Sequence, residues 1–248
     1  MAKFAVPLAL SGIGTAGTGE ERPGQISAGL ELAYLPKVDD ATATPTICRP
    51  DKPGPENTDL LFALPRPRIQ AALPGAFLLE ASWVPPIRVA GTRAHLFGFA
   101  LARTLPLRSE ALRLTLRAHG TLGTVEGPIT CDDQALQDPN SPCYQGTRSN
   151  DTFRPNIFGL EATVSWSLAG RVYPYLGAGY SHLAPRFRVN FTNQFGNVDR
   201  TRVEVDLDRV VLYAGAAWTG GRIRLGAEVY SAPADAVTAR VMVGYRIR

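Results

Sequence analysis

Three cysteines, three histidines and two methionines in 248 residues leave little material for redox or metal chemistry. No CxxC or HxxxH spacing joins them, which argues against a zinc site. The chain also lacks any apolar run of the roughly 18 to 20 residues that a membrane helix needs. The longest run near the start, Phe4 to Leu10, is broken by Pro7, so a helical membrane protein is excluded. Nor is there a surplus of one charge. The 26 basic residues face 22 acidic ones, and no Lys/Arg-rich run occurs, so nucleic acid is not an expected partner.

What the sequence has is alternation. From Gln25 to Tyr34, the residues Ile26, Ala28, Leu30, Leu32 and Tyr34 share one face against Ser27, Gly29, Glu31 and Ala33. Leu112, Leu114, Leu116 and Ala118 likewise oppose Arg113, Thr115, Arg117 and His119, and Phe158 to Leu168 repeats the pattern. A period of two, punctuated by Gly, Pro, Asn and Asp, is the mark of half-apolar strands. The spacing predicts an all-β chain of about ten strands, at 25–36, 58–66, 74–84, 93–105, 110–121, 156–168, 172–186, 203–218, 222–231 and 236–248. The second is expected to end at Pro65 and Pro67. Tyr230 and Trp218 lie out of phase with their neighbours and Arg209 interrupts the run Val205 to Tyr213, which calls for a bulge or an inward turn of those residues.

The connections alternate between long and short, apart from the last. This is the asymmetry of a closed, antiparallel, up-and-down transmembrane β-barrel with long outer loops, here 37–57, 122–155 and 187–202, and both termini on the inner side. Tyr34, Trp83 and Phe158 fall near outer strand ends, as does Tyr230. Trp166, Tyr173, Tyr175, Trp218 and Tyr245 fall near inner ends, where barrels carry aromatic girdles. If the aliphatic face meets lipid, the interior receives Glu31, Glu80, Arg103, Arg113, Arg117, His119, Glu161, Arg224, Glu228, Arg240 and Arg246. In so narrow a barrel these charges should pair and fill the bore.

The run Tyr173-Pro174-Tyr175-Leu176-Gly177-Ala178-Gly179-Tyr180 and the stretch from Ala214-Gly215-Ala216-Ala217-Trp218 to Val241-Met242-Val243-Gly244-Tyr245 resemble small outer-membrane barrel proteins of Gram-negative bacteria. The resemblance covers about the C-terminal hundred residues. It implies the bacterial outer membrane as location, with membrane lipid, lipopolysaccharide and the barrel-assembly machinery as partners, and it carries over no site residues. The chain ends Ile247-Arg248, where such families usually end on an aromatic residue.

Residues 1–22 read as signal-like or disordered, with Lys3 ahead of the short apolar run, and 23–248 as the barrel. Cys131 and Cys143 lie twelve positions apart in a polar loop, spaced for a disulfide in an oxidising compartment. No catalytic constellation stands out and no cofactor or metal is expected. Ser181 and His182 are adjacent in a strand, which aims them at opposite faces. Glu204, Asp206 and Asp208 share a face beside Arg200, Arg202 and Arg209, an arrangement better suited to pairing with arginine than to enclosing a cation. The expected role is structural, adhesive or passive transport of small solutes. Two alternatives remain: a barrel enzyme acting at the outer rim, and a soluble β-barrel that binds an apolar ligand.

Overall fold

The computed structural model describes residues 1–13, 21–37, 61–89, 91–107 and 111–247. Ten long strands carry the fold: β1 Ile26–Tyr34, β2 Ala63–Leu73, β3 Phe77–Val84, β4 Thr92–Pro106, β5 Leu112–Gly127, β6 Ile157–Trp166, β7 Val172–Leu183, β8 Leu207–Gly220, β9 Ile223–Ala232 and β10 Ala236–Arg246. Each pairs antiparallel with its neighbours in sequence, and β1 also pairs with β10, from Ser27 opposite Arg246 to Ala33 opposite Arg240. The sheet therefore closes into an up-and-down barrel in which the backbone groups of the wall satisfy one another.

The two faces of the wall settle its orientation. Outward-pointing Leu30, Leu160, Leu176, Val210 and Val243 are each more than half exposed, while inward-pointing Glu31, Glu80 and Arg240 are buried to within 2%. A water-soluble barrel of this design would hydrate a continuous aliphatic belt and bury its charges, an inversion of the usual preference. The alternative of a soluble barrel around an apolar ligand is thereby corrected: the apolar face is the outer one, and the barrel is built to span a membrane.

Two strand assignments also change. β2 runs through Pro65 and Pro67 to Leu73 instead of occupying 58–66, of which 58–60 lie outside the described residues. It pairs with β1 from Ala63 to Ala71 but with β3 only from Arg68 onward. Both prolines thus sit where the strand has one bonded neighbour, the place where a missing N–H is tolerated. In β8 no bulge is needed: pairing with β7 is continuous from Leu207 to Trp218. Trp218 points outward with Leu212, and Arg209 turns inward, half-buried and bonded to Asp235.

Gly221 and Arg222 alone join β8 to β9, Gly220 being paired with Ile223. Gly221 has φ +60°, the left-handed first position that a tight hairpin of this hand requires. At Gly177 the reason for glycine is a close approach instead, since an added Cβ would overlap the ring of Tyr213. That ring stacks on Tyr230 with centroids 5.7 Å apart, and its hydroxyl lies 2.7 Å from Thr163 Oγ1. Gly177→Val is expected to displace Tyr213 at a cost of about 1–3 kcal/mol, the range for overpacking. The check is urea unfolding in lipid vesicles, with near-ultraviolet circular dichroism reporting the loosened tyrosines.

Inside the wall lies the start of the chain. A one-turn helix, Ala2–Ala5, continues into a 3-10 turn, Val6–Leu8, and an irregular stretch to Ile13. Ala2, Ala5, Val6, Leu8 and Ala9 pack against Leu64, Val84, Leu96, Ile157, Leu183 and Val211, all near the long-loop end of their strands. The segment read from sequence as signal-like or disordered therefore occupies, over 1–13, the outer half of the lumen.

Candidate functional site

Below that apolar ring the lumen is filled by charge. Four arginines reach backbone carbonyls of the N-terminal segment. Arg66 donates to Leu8 O at 2.7 Å and to Ala9 O at 3.1 Å, and Arg240 to Ala9 O at 2.8 Å. Arg117 donates to Leu10 O at 2.8 Å and Arg68 to Ser11 O at 2.6 Å. The carbonyls are available because the stretch after Leu8 is in no helix or strand, and a buried carbonyl needs a donor.

Carboxylates balance these cations. Glu31 meets Arg68 at 2.7 Å, Arg240 at 3.7 Å and Arg66 at 3.8 Å. Glu80 bonds Arg68, accepts from Gln70 at 3.1 Å and lies 3.7 Å from Arg117. Glu161 takes Arg117 at 2.8 Å, has His119 Nε2 at 3.2 Å and accepts from the Tyr230 hydroxyl at 3.2 Å. Tyr175 donates to Glu228 at 3.0 Å, and Arg224 reaches Glu21 at 2.6 Å. Among the described residues, each of these charged groups has a partner on the wall or in the N-terminal segment.

The structure thus brings Glu31, Glu80, Arg117, His119, Glu161, Arg224, Glu228 and Arg240 together inside the barrel, with Arg113 inward and half-buried at the inner end and Arg246 at the inner mouth. Arg103 is corrected: it points outward, over the ring of Phe77 at 5.1 Å, because β4 alternates Ala100 and Ala102 inward. Tyr173 and Tyr175 are also corrected. Both are buried to within 2% in the lumen, as is Tyr230, so these three do not join the girdle. Tyr34, Trp83, Phe158, Trp218 and Tyr245 are exposed on the outer wall, and Trp166 lies half-buried on the same face. Sequence reasoning missed Arg66, Arg68 and Gln70, because it ended β2 at the prolines. The alternation of Leu64, Arg66, Arg68 and Gln70 against Pro65, Pro67 and Ile69 was the available signal.

On the long-loop side the barrel carries a built extension. Asp151–Arg154 pairs with the end of β5, Arg186–Arg188 pairs with it in turn, and Arg202–Glu204 completes the sheet. The expected loops 122–155 and 187–202 are thus partly strand. Cys131 and Cys143 are disulfide-bonded and pack with Val189 and Phe191. The Asp151 carboxylate accepts from Thr130 N at 2.6 Å, Ser149 Oγ at 2.8 Å and Asn190 N at 2.9 Å, pinning two loops together. Replacing both cysteines by serine releases a loop-closure entropy equivalent to about 3 kcal/mol for a loop of this length. The expected result is faster protease cleavage between 131 and 149, with the barrel's heat-dependent gel mobility unchanged.

Ser181 is buried in the lumen while His182 stands outside, 2.9 Å from Asp208. Arg186 takes Glu204 at 3.4 Å and Asp206 at 2.9 Å. Among the described residues no group of His, Cys, Asp and Glu is placed to hold a metal ion.

No protein-family model and no curated protein matches the sequence. Solved structures similar in overall form include Ail, the attachment invasion locus protein of Yersinia pestis, with 10% identity and a TM-score of 0.32 over 91% of this chain and 100% of that one. The N-terminal β-barrel domain of Pseudomonas aeruginosa OprF has 11% identity and a TM-score of 0.30, over 90% and 99%. The CymD monoaromatic hydrocarbon channel has 8% identity and a TM-score of 0.39, over 92% and 68%. All three are barrels of the outer-membrane kind. The membrane orientation of this chain rests on its own two faces, not on these likenesses.

Proposed function

We propose that the chain is a bacterial outer-membrane protein whose barrel is a closed anchor and whose disulfide-braced extension is the working surface, a binding or adhesive role without catalysis. The observation that carries this reading is the N-terminal segment, held inside the lumen by four buried arginines. Function on such a scaffold belongs to the outer loops, and these are stapled into a defined shape, as recognition surfaces commonly are. Insertion by the barrel-assembly machinery is part of the same reading. The full chain, refolded into planar bilayers, should give no channel openings, and recurrent open steps in the intact protein would replace the anchor with a passive solute channel.

A further inference from the structure

The outer rim carries an arginine row that the closed-barrel reading does not use. Directly opposed residues across successive strands run Arg88, Arg93, Glu126, Thr152, Arg188 and Arg202. One row nearer the membrane, Arg154 opposes Arg186, which opposes Glu204. Like charges directly opposite one another destabilise a sheet, yet Arg88 faces Arg93, Arg154 faces Arg186, and Arg188 faces Arg202. Glu126 opposes Arg93, and Glu204 and Asp206 engage Arg186. Among the described residues no carboxylate lies within ion-pair distance of Arg154, Arg188 or Arg202, all three exposed. An anion from outside the chain would supply what the sheet itself lacks.

The face these arginines occupy identifies the anion's source. Arg154 and Arg186 keep the register of β6 and β7, in which Phe158 opposes His182. They therefore continue the lipid-facing face of the wall beyond Phe158, across the short link of Pro155 and Asn156. Below them an apolar groove of about 500 Å³ crosses the wall. Phe99, Phe158 and Leu160 line it, Ala118 forms its floor, and His182 stands at its outer end. Cation above and acyl-sized groove below match an amphiphile held upright in the outer leaflet.

We propose that Arg154, Arg188 and Arg202 bind the phosphate of an acylated, phosphorylated glycolipid of that leaflet, with an acyl chain in the Phe99–Phe158 groove. Arg188 and Arg202, directly opposed about 5 Å apart, can share one phosphate through charge-assisted bonds, with Arg154 on the diagonal about 7–8 Å from Arg188.

The test uses the full chain in phosphatidylcholine vesicles doped with lipid A, followed by detergent extraction and native mass spectrometry of the retained lipid. R154Q/R188Q/R202Q should lower retention at least about tenfold while keeping the heat-dependent gel shift that marks a folded barrel. Lipid A stripped of its phosphates should be retained no better by the unsubstituted chain, and Ala118→Phe, which fills the groove, should reduce retention with the arginines intact. Unchanged retention in the triple variant overturns the proposal. So does equal binding of a soluble, phosphorylated saccharide without acyl chains that Ala118→Phe leaves untouched, since the arginines would then serve soluble anions.

Discussion

Deleting residues 1–13 is expected to turn a silent barrel into a conducting one. The wall does not depend on the segment for closure, because ten antiparallel pairings, β1 with β10 included, satisfy its backbone. What the segment supplies is the filling. Its removal hydrates the ring of Leu64, Val84, Leu96, Ile157 and Leu183 and strips carbonyl acceptors from Arg66, Arg68, Arg117 and Arg240. Arginine donors freed in a narrow bore favour anions, so the open barrel should be anion-selective. Planar-bilayer recordings under a potassium chloride gradient check both points: open steps absent from the full chain, and a reversal potential of anion-selective sign. A peptide of residues 1–13 added to the deleted protein should close it again. If the deleted barrel stays silent, the wall side chains alone block the bore and the segment is not its stopper.

The same segment shows where sequence reading stopped. Strand alternation, strand number, loop asymmetry and most of the inward set, Arg103 excepted, could be read, because a membrane barrel imposes a period of two on every strand and lipid imposes one chemistry on one face. Met1–Ile13 could not be read that way. A short apolar run with a basic residue ahead of it carries no period that marks it for the lumen, and the arginines that bond its carbonyls lie on distant strands. The cue for Arg66 and Arg68 was weakened by the proline rule, which bars a central strand but permits a stretch with one bonded neighbour. Tyr173 and Tyr175 were misplaced for a different reason. An aromatic near a strand end suits a girdle or a lumen equally well, and parity with Leu176 and Tyr180, both outward, decides it.

The rim arginines were legible as residues and not as a row. Their opposition depends on the pairing of 151–154, 186–188 and 202–204, short strands within segments that carry no sustained alternation. Cross-strand register is a tertiary fact. The carboxylates Glu204, Asp206 and Asp208 were expected to prefer arginine over a cation, and Arg186 takes the first two while His182 takes the third.

The balance of the buried network predicts a second large effect. Glu31 is wholly buried and is the one carboxylate within 4 Å of Arg66 and of Arg240 among the described residues, while Arg68 keeps Glu80. Glu31→Gln therefore leaves two buried guanidinium groups with no carboxylate within 4 Å among the described residues, and breaking a buried pair in this way costs about 3–5 kcal/mol. Glu204→Gln, which removes an exposed partner of Arg186, should cost less than about 1 kcal/mol. The decisive comparison adds Arg240→Met to Glu31→Gln. Taking out a charge that the first change left uncompensated should recover part of the loss, since a well-packed apolar replacement of a buried pair is often neutral. Urea unfolding of the three variants in vesicles checks the order. A Glu31→Gln variant as stable as Glu204→Gln would mean that water screens the lumen, and the closed bore would then be the wrong description of this barrel.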